Sequence, residues 1–367
     1  MMSSHRYQNN HATFIKSPIL LKLGRIMTVI ATLGSHCALQ VLKGAKDEGF
    51  KTILVSEKKR ERLYRRFKFI DEIILVDSFS EIAGQKCTSV LKENDAIIIP
   101  HGTLISQMSS SEIESIKTPI FGNKWILRWE SDRKMKEQLM REAKLNVPKT
   151  VSSPKEIKTL VIAKRHGAAG GKGYFLTTNE KDYIKKRDKL IKQGLIKGDS
   201  DLYLQEYSFG VSAYLQYFYS PLKDELEFFG VDRRYESDID RLGRIPAAQQ
   251  LDIDLIPSFN VIANSPLVLR ESLLDEVYSM GERFVDAAKR LVKPGMNGPF
   301  CLEGVYDENG KFTTFEFSAR IVAGTNMYVD GSPYSTFLYN EPMSMGRRIA
   351  REIKQAKNSN ELAKIVT

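Results

Sequence analysis

Residues 301–318 read CLEGVYDENGKFTTFEFS, two runs typical of β-strands on either side of Asn309-Gly310. Asn-Gly between such runs predicts a β-hairpin with a two-residue type I′ turn. In this hairpin, residues equally distant from the turn face each other, and Glu303 and Glu316 are equally distant from it. We therefore expect both glutamate side chains on one face, with their Cβ atoms about 4.5–5.5 Å apart.

Two carboxylates at that separation repel each other, so a sheet normally selects against such a pair. A divalent cation removes the conflict, because Mg²⁺ is usually held by one or two carboxylates plus substrate phosphates. The alternative is a solvated hairpin face. The residues predicted to share that face are Cys301, Val305, Thr314 and Ser318. Since this set is not typical of an exposed surface, the pattern favours a site for Mg²⁺ or Mn²⁺.

The composition is that of a globular protein with more than one domain. The chain has 367 residues, of which 42% are hydrophobic and 27% charged, and this length predicts two or three domains. No apolar run approaches the ~18 residues of a membrane span, so no membrane association is expected. Three widely spaced cysteines argue against a disulfide framework and a cysteine-based zinc site. These features are typical of a cytoplasmic protein.

The net charge of +10 raises the possibility of a nucleic-acid partner. The basic residues are mostly interleaved with acidic ones, however, as in EKDYIKKRDKLIKQ at 180–193. That pattern is typical of a solvated helix face. An anionic small-molecule substrate explains the surplus equally well, so we expect no nucleic-acid partner.

The order of predicted elements divides the chain into an extension and three regions. Residues 1–26 are expected to form a flexible extension, since they lack acidic residues and the Arg and Ser density of a transit peptide. Region 27–120 begins with the strand, turn, helix and strand of TVIATLGSHCALQVLKGAKDEGFKTILVS, and EIILVDSF and DAIIIPHG add two buried strands. This order predicts an N-terminal doubly wound parallel α/β domain.

The other two regions predict α+β structure. Region 121–210 contains the helix SDRKMKEQLMREAKL, a hairpin of TLVIAK and GYFLTT, a charged helix at about 180–194 and the strand DLYLQEYSFG. Region 211–367 contains the long strands VSAYLQYFYSP and LEFFGVDRRYE, the helix ESLLDEVYSMGERFVDAAKRLV, the acidic hairpin and a closing helix from Ser344. We expect a small lobe and a large lobe.

A glycine-rich loop, RHGAAGGKG at 165–173, separates the two strands of the small-lobe hairpin. Glycines let backbone N–H groups surround phosphate oxygens, and Lys172 adds a positive charge. The loop is not a Walker A motif, because GxxxxGK[ST] is absent and no helix follows. It is typical of a mobile flap over a nucleoside triphosphate, although a plain flexible turn is the alternative. Lys164, just before the loop, favours the flap.

Two histidines, His36 and His101, each stand beside a glycine at a predicted strand end. Ligands of open α/β sheets bind outside the carboxyl ends of the strands. Ser35 is expected to cap the helix that follows, where free N–H groups favour an anion. Since G-x-G-x-x-G is absent, a monophosphate is more plausible here than a dinucleotide.

An N-terminal domain, a glycine-rich flap and two strand carboxylates followed by an arginine resemble the ATP-grasp superfamily. Within it, the chain is similar to the archaeal formate-dependent ligases that formylate AICAR, the aminoimidazole carboxamide ribonucleotide of purine biosynthesis. The resemblance covers about residues 27–360. It depends on LGSH, GAKDEGF, FGNKWILRWE, HGAAGGKGYF, QEY, YFYSPLKDELE, DRRYE, RESLL, GPFCLE, FEFSARIVAGTN, GSPYS and GRRIAREIK.

The resemblance implies roles for particular residues. It implies that the two hairpin glutamates bind Mg²⁺ and that the catalytic residues are Lys164 and Arg320. The implied ATP-binding residues are Lys164, Gly170, Gly171, Lys172, Gln205, Glu206, Tyr207 and Glu236, and the implied AICAR-binding residues are His36, Thr103 and Asn264. The chain departs from the family at Thr103, where serine is frequent. Ser318 stands where ATP-grasp enzymes often have a metal-binding asparagine.

The implied reaction has two steps. Formate attacks the γ-phosphate of ATP to give formyl phosphate, and the 5-amino group of AICAR then displaces phosphate to give FAICAR, with no folate required. Relatives also suggest a homo-oligomer, a trimer or a hexamer. Three alternatives stay open: a ligase of the same family with another acid or amine, a non-catalytic nucleotide sensor, and a nucleic-acid-binding protein.

Overall fold

The fold is described from a computed structural model that covers residues 28–166, 173–251, 253 and 260–367. The expected extension 1–26 and the central part of the glycine-rich loop, with Gly170, Gly171 and Lys172, lie outside the described residues. Within the described ranges, no helix has both the length and the apolar character that a membrane crossing requires.

The first sheet is parallel and has helices on both faces. Its region contains β1 (Val29–Leu33), α1 (Ala38–Asp47), β2 (Lys51–Glu57), α2 (Glu61–Tyr64), β3 (Glu72–Val76), α3 (Gln85–Glu93), β4 (Ala96–Ile98), α4 (Gly102–Gln107) and α5 (Ser110–Ser115). Among the described residues the strand order is β3-β2-β1-β4. Ile30 faces α1, whereas Val29 and Ala31 face α3, α4 and α5. The predicted doubly wound parallel arrangement is confirmed.

The second sheet is small and antiparallel. Two helices precede it, α6 (Ile126–Ser131) and α7 (Arg133–Glu142), and it contains β5 (Val161–Arg165), β6 (Phe175–Thr177), α8 (Glu180–Lys192) and β7 (Leu202–Glu206). β5 lies between β6 and β7 in the described part of the sheet. The predicted hairpin around the glycine-rich loop and the charged helix after it are confirmed.

The third sheet is antiparallel and carries the acidic hairpin. Its region contains β8 (Val211–Ser220), β9 (Glu225–Glu236), α9 (Ser237–Leu242), α10 (Ala247–Leu251), β10 (Val261–Leu267), α11 (Leu274–Leu291), β11 (Gly298–Tyr306), β12 (Phe312–Ser318), α12 (Pro333–Leu338) and α13 (Met345–Asn358). The order in the described residues is β10-β9-β8-β11-β12. α11 packs on one face through Val277, Phe284 and their neighbours. Ser344 caps α13, as its side chain accepts from the Arg347 N–H.

The hairpin pairs Glu303 with Glu316, as predicted, but its turn is not the predicted two-residue type I′ turn. Of the two turn residues, Gly310 has a positive φ (76°) and Asn309 does not. The Asp307 side chain accepts the N–H groups of Asn309 and Lys311, each at 2.9 Å, and stabilises a longer loop. A bulge restores the register, because Phe315 has no opposite residue between the pairs of Glu303 and Gly304.

The last helix covers the first sheet through a close crossing of α1 and α13. A Cβ at Gly44 would overlap the backbone of Arg347, and a Cβ at Gly346 would overlap the backbone of Gln40. The Gln40 side chain is buried in the crossing, where its Oε1 accepts the Gly346 N–H at 3.1 Å. Gln40 also donates to the Thr325 carbonyl. This crossing therefore joins the first sheet to the segment after β12.

Gly44→Ala is expected to destabilise the protein, because the new Cβ would overlap the backbone of Arg347. Overpacking typically costs about 1–3 kcal/mol, whereas alanine elsewhere in a helix interior is favoured over glycine by up to ~1 kcal/mol. Denaturant-induced unfolding followed by circular dichroism measures the change. The control is Gly198→Ala, where a Cβ meets no atom within 4 Å and no loss is expected. A Gly44→Ala protein as stable as the parent would contradict the close crossing.

Candidate functional site

A cavity of about 650 Å³ lies where the three sheets meet. The first sheet contributes His36, Gly102 and Thr103 at the carboxyl ends of its strands. The second sheet contributes the end of β5 and the end of β7, and the third contributes β9, β11 and β12. The cavity therefore extends from His36 at one end to Lys164 and Tyr174 at the other, with the acidic hairpin between them.

Glu303 is buried at the centre of this cavity and both of its oxygens have partners. Oε1 accepts the Ser318 hydroxyl at 2.7 Å, and Oε2 accepts Arg234 Nη1 at 2.7 Å. The Arg234 guanidinium also stacks on the Tyr214 ring, with 3.7 Å from Cζ to the ring centroid. Ser318 thus orients one of the two carboxylates, and β9 supplies the cation that balances it.

Glu316 is balanced by two cations from α7. Its Oε1 accepts Lys136 Nζ and, at 3.3 Å, Arg133 Nη1. Both cations are buried. Lys136 and Arg133 lower the pKa of Glu316, and this attraction outweighs the opposing effect of burial. The carboxylate therefore stays ionised in the cavity.

Lys164 points into the same space from β5. Its Nζ donates to Gln205 Oε1 at 2.9 Å and lies 5.1 Å from the centroid of the Phe315 ring. Burial, together with the nearby Arg133, lowers the pKa of Lys164 from 10.5 to about 7. Phe315 is the bulged residue of β12, so the bulge that restores the hairpin register also supplies an apolar wall beside this amine.

The remaining residues predicted at the glycine-rich end also line the cavity. Glu206 and Tyr207 follow Gln205 at the end of β7, and Glu236 ends β9. Burial raises the pKa of Glu236 to about 7. The structure therefore brings together the described members of the predicted ATP-binding set.

The two predicted histidines stack at the other end of the cavity, with ring centroids 5.4 Å apart. His101 is buried and its Nε2 lies 2.9 Å from the Leu33 carbonyl. Because a carbonyl only accepts, this nitrogen carries the proton. Burial lowers the pKa of His101 to about 4 and lowers that of His36 as well, so both rings are neutral at pH 7. A Cβ at Gly102 would lie 2.8 Å from His36 Nε2, so glycine leaves room for the ring.

The prediction that Ser35 caps α1 is wrong. His36 has a positive φ (52°), so the chain turns once more and the helix begins only at Ala38. The residue before the helix is Cys37, and its side chain makes no capping hydrogen bond. The Ser35 hydroxyl instead accepts Arg60 Nη1 at 3.1 Å.

The resemblance assigns Thr103 and Asn264 to AICAR binding, but only one of the two lines the cavity. Thr103 lines the cavity at the start of α4. Asn264, on β10, is not among the described lining residues, and its Nδ2 donates to Asp232 Oδ2 at 2.8 Å. Asp232 is fully buried and also accepts Gln216 Nε2 at 2.6 Å. Asn264 is thus held beside the histidine end rather than directly in the described cavity wall.

Sequence reasoning missed four charged residues that line the cavity: Glu130, Arg133, Lys136 and Arg234. Arg133 and Lys136 occur in SDRKMKEQ, a stretch with the composition of a solvated helix. Their spacing of three residues places them on one helix face, but Lys134 and Arg141 are equally compatible with such a face. Only the position of α7 against β12 distinguishes the buried cations from the exposed ones.

The donor set at the hairpin is compatible with a hard divalent cation. Two carboxylates face one space, and among the described residues no cluster of three or more His, Cys, Asp or Glu side chains is arranged for a metal. This pair would give a hard cation two protein ligands, with phosphate oxygens and water as the others, which is the arrangement usual for Mg²⁺. Arg133, Lys136 and Lys164 around the same space suit a polyphosphate.

Comparison with known families gives two matches, both to families without an assigned function in their descriptions. Residues 30–151 match "Protein of unknown function (DUF1246)", and residues 182–367 match "Domain of unknown function (DUF1297)".

Two curated relatives are named 5-formaminoimidazole-4-carboxamide-1-(beta)-D-ribofuranosyl 5'-monophosphate synthetase. The protein from Nitrosopumilus maritimus is 70% identical over 341 residues, which are 93% of this chain and the whole of that protein. The protein from Methanocaldococcus jannaschii is 48% identical over 342 residues, which are 92% of this chain and 94% of that protein.

Two solved structures are similar to this fold. The IMP biosynthesis protein PurP from Thermococcus kodakaraensis has a TM-score of 0.74 at 29% identity, and the match covers 92% of this chain and all of that one. The ADP complex of an N5-carboxyaminoimidazole ribonucleotide synthetase has a TM-score of 0.64 at 13% identity, over 89% of this chain and 76% of that one. The second likeness concerns the fold alone.

Lys164→Met is expected to stabilise the protein more at pH 6 than at pH 9. Lys164 has a pKa of about 7 in the folded protein, against an ordinary value of 10.5. Between these values the unfolded chain binds more protons, so the free energy of unfolding rises with pH. The penalty of the buried charge is complete below about pH 7, and methionine removes it. Urea unfolding at both pH values measures the gain.

The control for this comparison is Lys158→Met, an exposed lysine just before β5. It should change the free energy of unfolding little and by the same amount at both pH values. An equal gain for Lys164→Met at pH 6 and pH 9 would show that Lys164 titrates like a solvated lysine.

Proposed function

Because the chain belongs to the family of 5-formaminoimidazole-4-carboxamide-1-(beta)-D-ribofuranosyl 5'-monophosphate synthetases, we propose that it formylates AICAR to FAICAR with formate and ATP. It is a ligase of purine biosynthesis with an ATP-grasp fold, so the predicted fold class and family are confirmed. One observation in the site carries the ATP-dependent reaction: the facing carboxylates of Glu303 and Glu316 lie between a cation-rich end and a histidine-lined end of one cavity.

ATP occupies the cation-rich end in this proposal. Lys164 contacts its phosphates together with the flap residues Gly170, Gly171 and Lys172, and Gln205, Glu206, Tyr207 and Glu236 surround the nucleoside. The low pKa of Lys164 supports this assignment, because a polyphosphate restores the charged form of a buried amine. Arg133 and Lys136 extend the same positive surface toward Glu316.

AICAR occupies the histidine-lined end, where His36 and Thr103 contact the ribonucleotide. The neutral ring of His36 suits this role, since one nitrogen of a neutral imidazole donates and the other accepts. Contact of Asn264 with AICAR requires that the substrate extend beyond the residues that line the cavity, toward Asp232. The methyl group of Thr103, which lines the cavity, takes up space that a serine at this position would leave free.

The first step forms formyl phosphate. A formate oxygen attacks the γ-phosphorus as the bond to the β–γ bridging oxygen breaks and ADP leaves. Lys164 and the flap N–H groups stabilise the charge that shifts during this transfer, together with Arg320 on the side of the acid. Closure of the flap excludes water, which would otherwise hydrolyse the acyl phosphate.

The second step transfers the formyl group. The 5-amino nitrogen of AICAR attacks the formyl carbon, the carbon–oxygen bond to phosphate breaks, and the amine loses a proton. Holding the amine against the acyl phosphate supplies much of the rate, so no covalent nucleophile is required.

Mg²⁺ or Mn²⁺ bound by Glu303 and Glu316 would supply charge neutralisation at the transferred phosphoryl group. Ser318 stands where the resemblance to ATP-grasp enzymes often implies a metal-binding asparagine, and its hydroxyl donates to Glu303. We therefore assign the metal two protein ligands.

The wider assignments are part of the same proposal. The enzyme uses no folate, acts in the cytoplasm and assembles as a trimer or a hexamer. The domain boundaries are those of the sequence analysis: an extension at 1–26, an N-terminal domain at 27–120, a small lobe at 121–210 and a large lobe at 211–367.

Product analysis tests the reaction directly. The full chain, mixed with AICAR, MgATP and formate, should give FAICAR, ADP and phosphate, and omission of any one substrate should abolish FAICAR. ADP formation without FAICAR would favour the alternative ligase with another acid or amine, which substitution of other small carboxylates for formate would identify. Tight ATP binding with no turnover of any kind would favour the sensor.

Glu316→Gln should abolish metal-dependent turnover while AICAR binding, measured by calorimetry, stays within about twofold, because the histidine end is separate. The amide keeps the size of the side chain but loses the charge that a divalent cation requires. Glu308→Gln is the matched control, since Glu308 is exposed in the loop of the same hairpin, and it should retain full activity. Full activity in Glu316→Gln would exclude Glu316 as a metal ligand.

A further inference from the structure

The Arg320 guanidinium has a buried nitrogen, Nε, that has no hydrogen-bond partner within the described residues. Its Nη2 lies 3.0 Å from Glu130 Oε1, and its Nη1 donates to the Ile321 carbonyl at 3.3 Å. Its Nε is buried and lacks a partner in the described part of the chain. A buried donor without an acceptor is costly, so this N–H is suited to an acceptor that the substrate brings.

Arg320 lies between the carboxylate pair and the histidine end. It is four residues beyond Glu316 along the chain, and its Nη2 would be 3.4 Å from a Cβ at Gly102. The charges of Arg320 and Arg234 both act on His36. This is the region through which an acyl group must pass from the phosphate-binding end to the acceptor amine.

Glu130 fixes the position of Arg320, although it lies on a helix and not on the strands of the acidic hairpin. It belongs to the short helix α6, is 5% exposed, and accepts the Ala319 N–H at 2.9 Å through Oε2. Its other oxygen receives Arg320. Because the two contacts are to consecutive residues after β12, one carboxylate sets both the path of the backbone and the direction of the guanidinium.

A buried ion pair such as that of Glu130 and Arg320 is weak evidence for a role in stability. Burying two ions is costly, and apolar replacements of similar volume often give equal or greater stability. Glu130 is used by no step of the reaction proposed above, yet it lines the cavity. Through its two contacts, Glu130 holds Arg320 at that cavity, and the Nε–H group of Arg320 has no acceptor among the described residues.

We propose that Glu130 is a positioning residue: it holds the Arg320 guanidinium so that Nε–H is offered to an oxygen of the formate-derived group. The ligand is a carboxylate oxygen of formate before activation and the carbonyl oxygen of formyl phosphate after it. Glu130 itself touches no substrate. This inference rests on the proposed formylation reaction and deepens it by naming where the acid binds.

The test is Glu130→Gln, which keeps the acceptor for the Ala319 N–H but removes the charge that holds Arg320. We expect kcat/KM for formate to fall on the order of 100-fold, as for a misplaced positioning group. The KM for ATP and the dissociation constant of AICAR should stay within about twofold. Glu130→Asp, which keeps the charge on a shorter stem, should recover part of the loss.

The matched control is Glu114→Gln. Glu114 pairs with Arg128 of the same helix α6 at 2.6 Å, but on the surface. Breaking this pair should leave all three substrate parameters unchanged. A loss in Glu114→Gln equal to that in Glu130→Gln would mean that any disturbance of α6 has the same effect, and it would overturn the proposal.

A double variant separates positioning from a purely structural role. If Glu130 acts through Arg320, Glu130→Gln combined with Arg320→Lys should be no slower with formate than Arg320→Lys alone. Additive losses would overturn the proposal, as would a rise of the KM for ATP or weaker AICAR binding in place of the formate effect. If the parent protein makes no FAICAR at all, the formylation reaction fails first, independently of these comparisons.

Discussion

The site depends on the electrostatic balance of two carboxylates that adjacent strands hold face to face. Glu303 and Glu316 would repel each other in the low-polarity cavity, and three cations on two other elements offset this repulsion. Arg234 comes from β9, and Lys136 and Arg133 come from α7. Since each cation must reach its carboxylate, the balance also determines how α7 and the third sheet pack together.

The same balance explains why the site suits a polyphosphate and a divalent cation together. Without ligands, the carboxylates pair with the cations. When ligands bind, a polyphosphate can pair with the cations while a divalent metal binds the carboxylates. Each charge then exchanges one partner for another of the same sign, so the cavity is never left with an isolated charge, which would be costly. The carboxylates of this exchange lie on the hairpin, and the cations that face the polyphosphate lie on α7 and β5.

The sequence predicted the parts of this site that depend on local periodicity. The pairing of Glu303 with Glu316 followed from strand alternation around a turn, and it held even though the turn type was wrong, because the Phe315 bulge compensates for the longer loop. The strand ends at His36 and His101 followed from the α/β pattern. What the sequence could not show is which cations face the hairpin, since Lys136 and the exposed Lys134 differ only in the tertiary contacts of α7.

Long-range contacts also explain the segment 324–326, whose composition alone predicts no structural role. The Thr325 carbonyl accepts the Gln40 side-chain amide, and the Thr325 hydroxyl donates to Gln40 Oε1. Asn326 donates to the His36 carbonyl at 2.9 Å. Gly324 lies directly against the Asp232 side chain. These three consecutive residues thus connect the loop that carries His36 with the third sheet. No local pattern in the sequence identifies such a connection, because its partners lie more than 90 residues away.

The crossing of α1 and α13 has a consequence for the order in which the chain can fold during synthesis. One face of the first sheet is covered by α13, whose residues are synthesised only after the strands of all three sheets. Until then, Ile30, Ile97 and Ile99 have only part of their apolar contacts, and the earliest sheet cannot complete its core. A nascent chain therefore exposes this face while the second and third sheets are synthesised, and slow synthesis of these sheets prolongs the period in which it can aggregate.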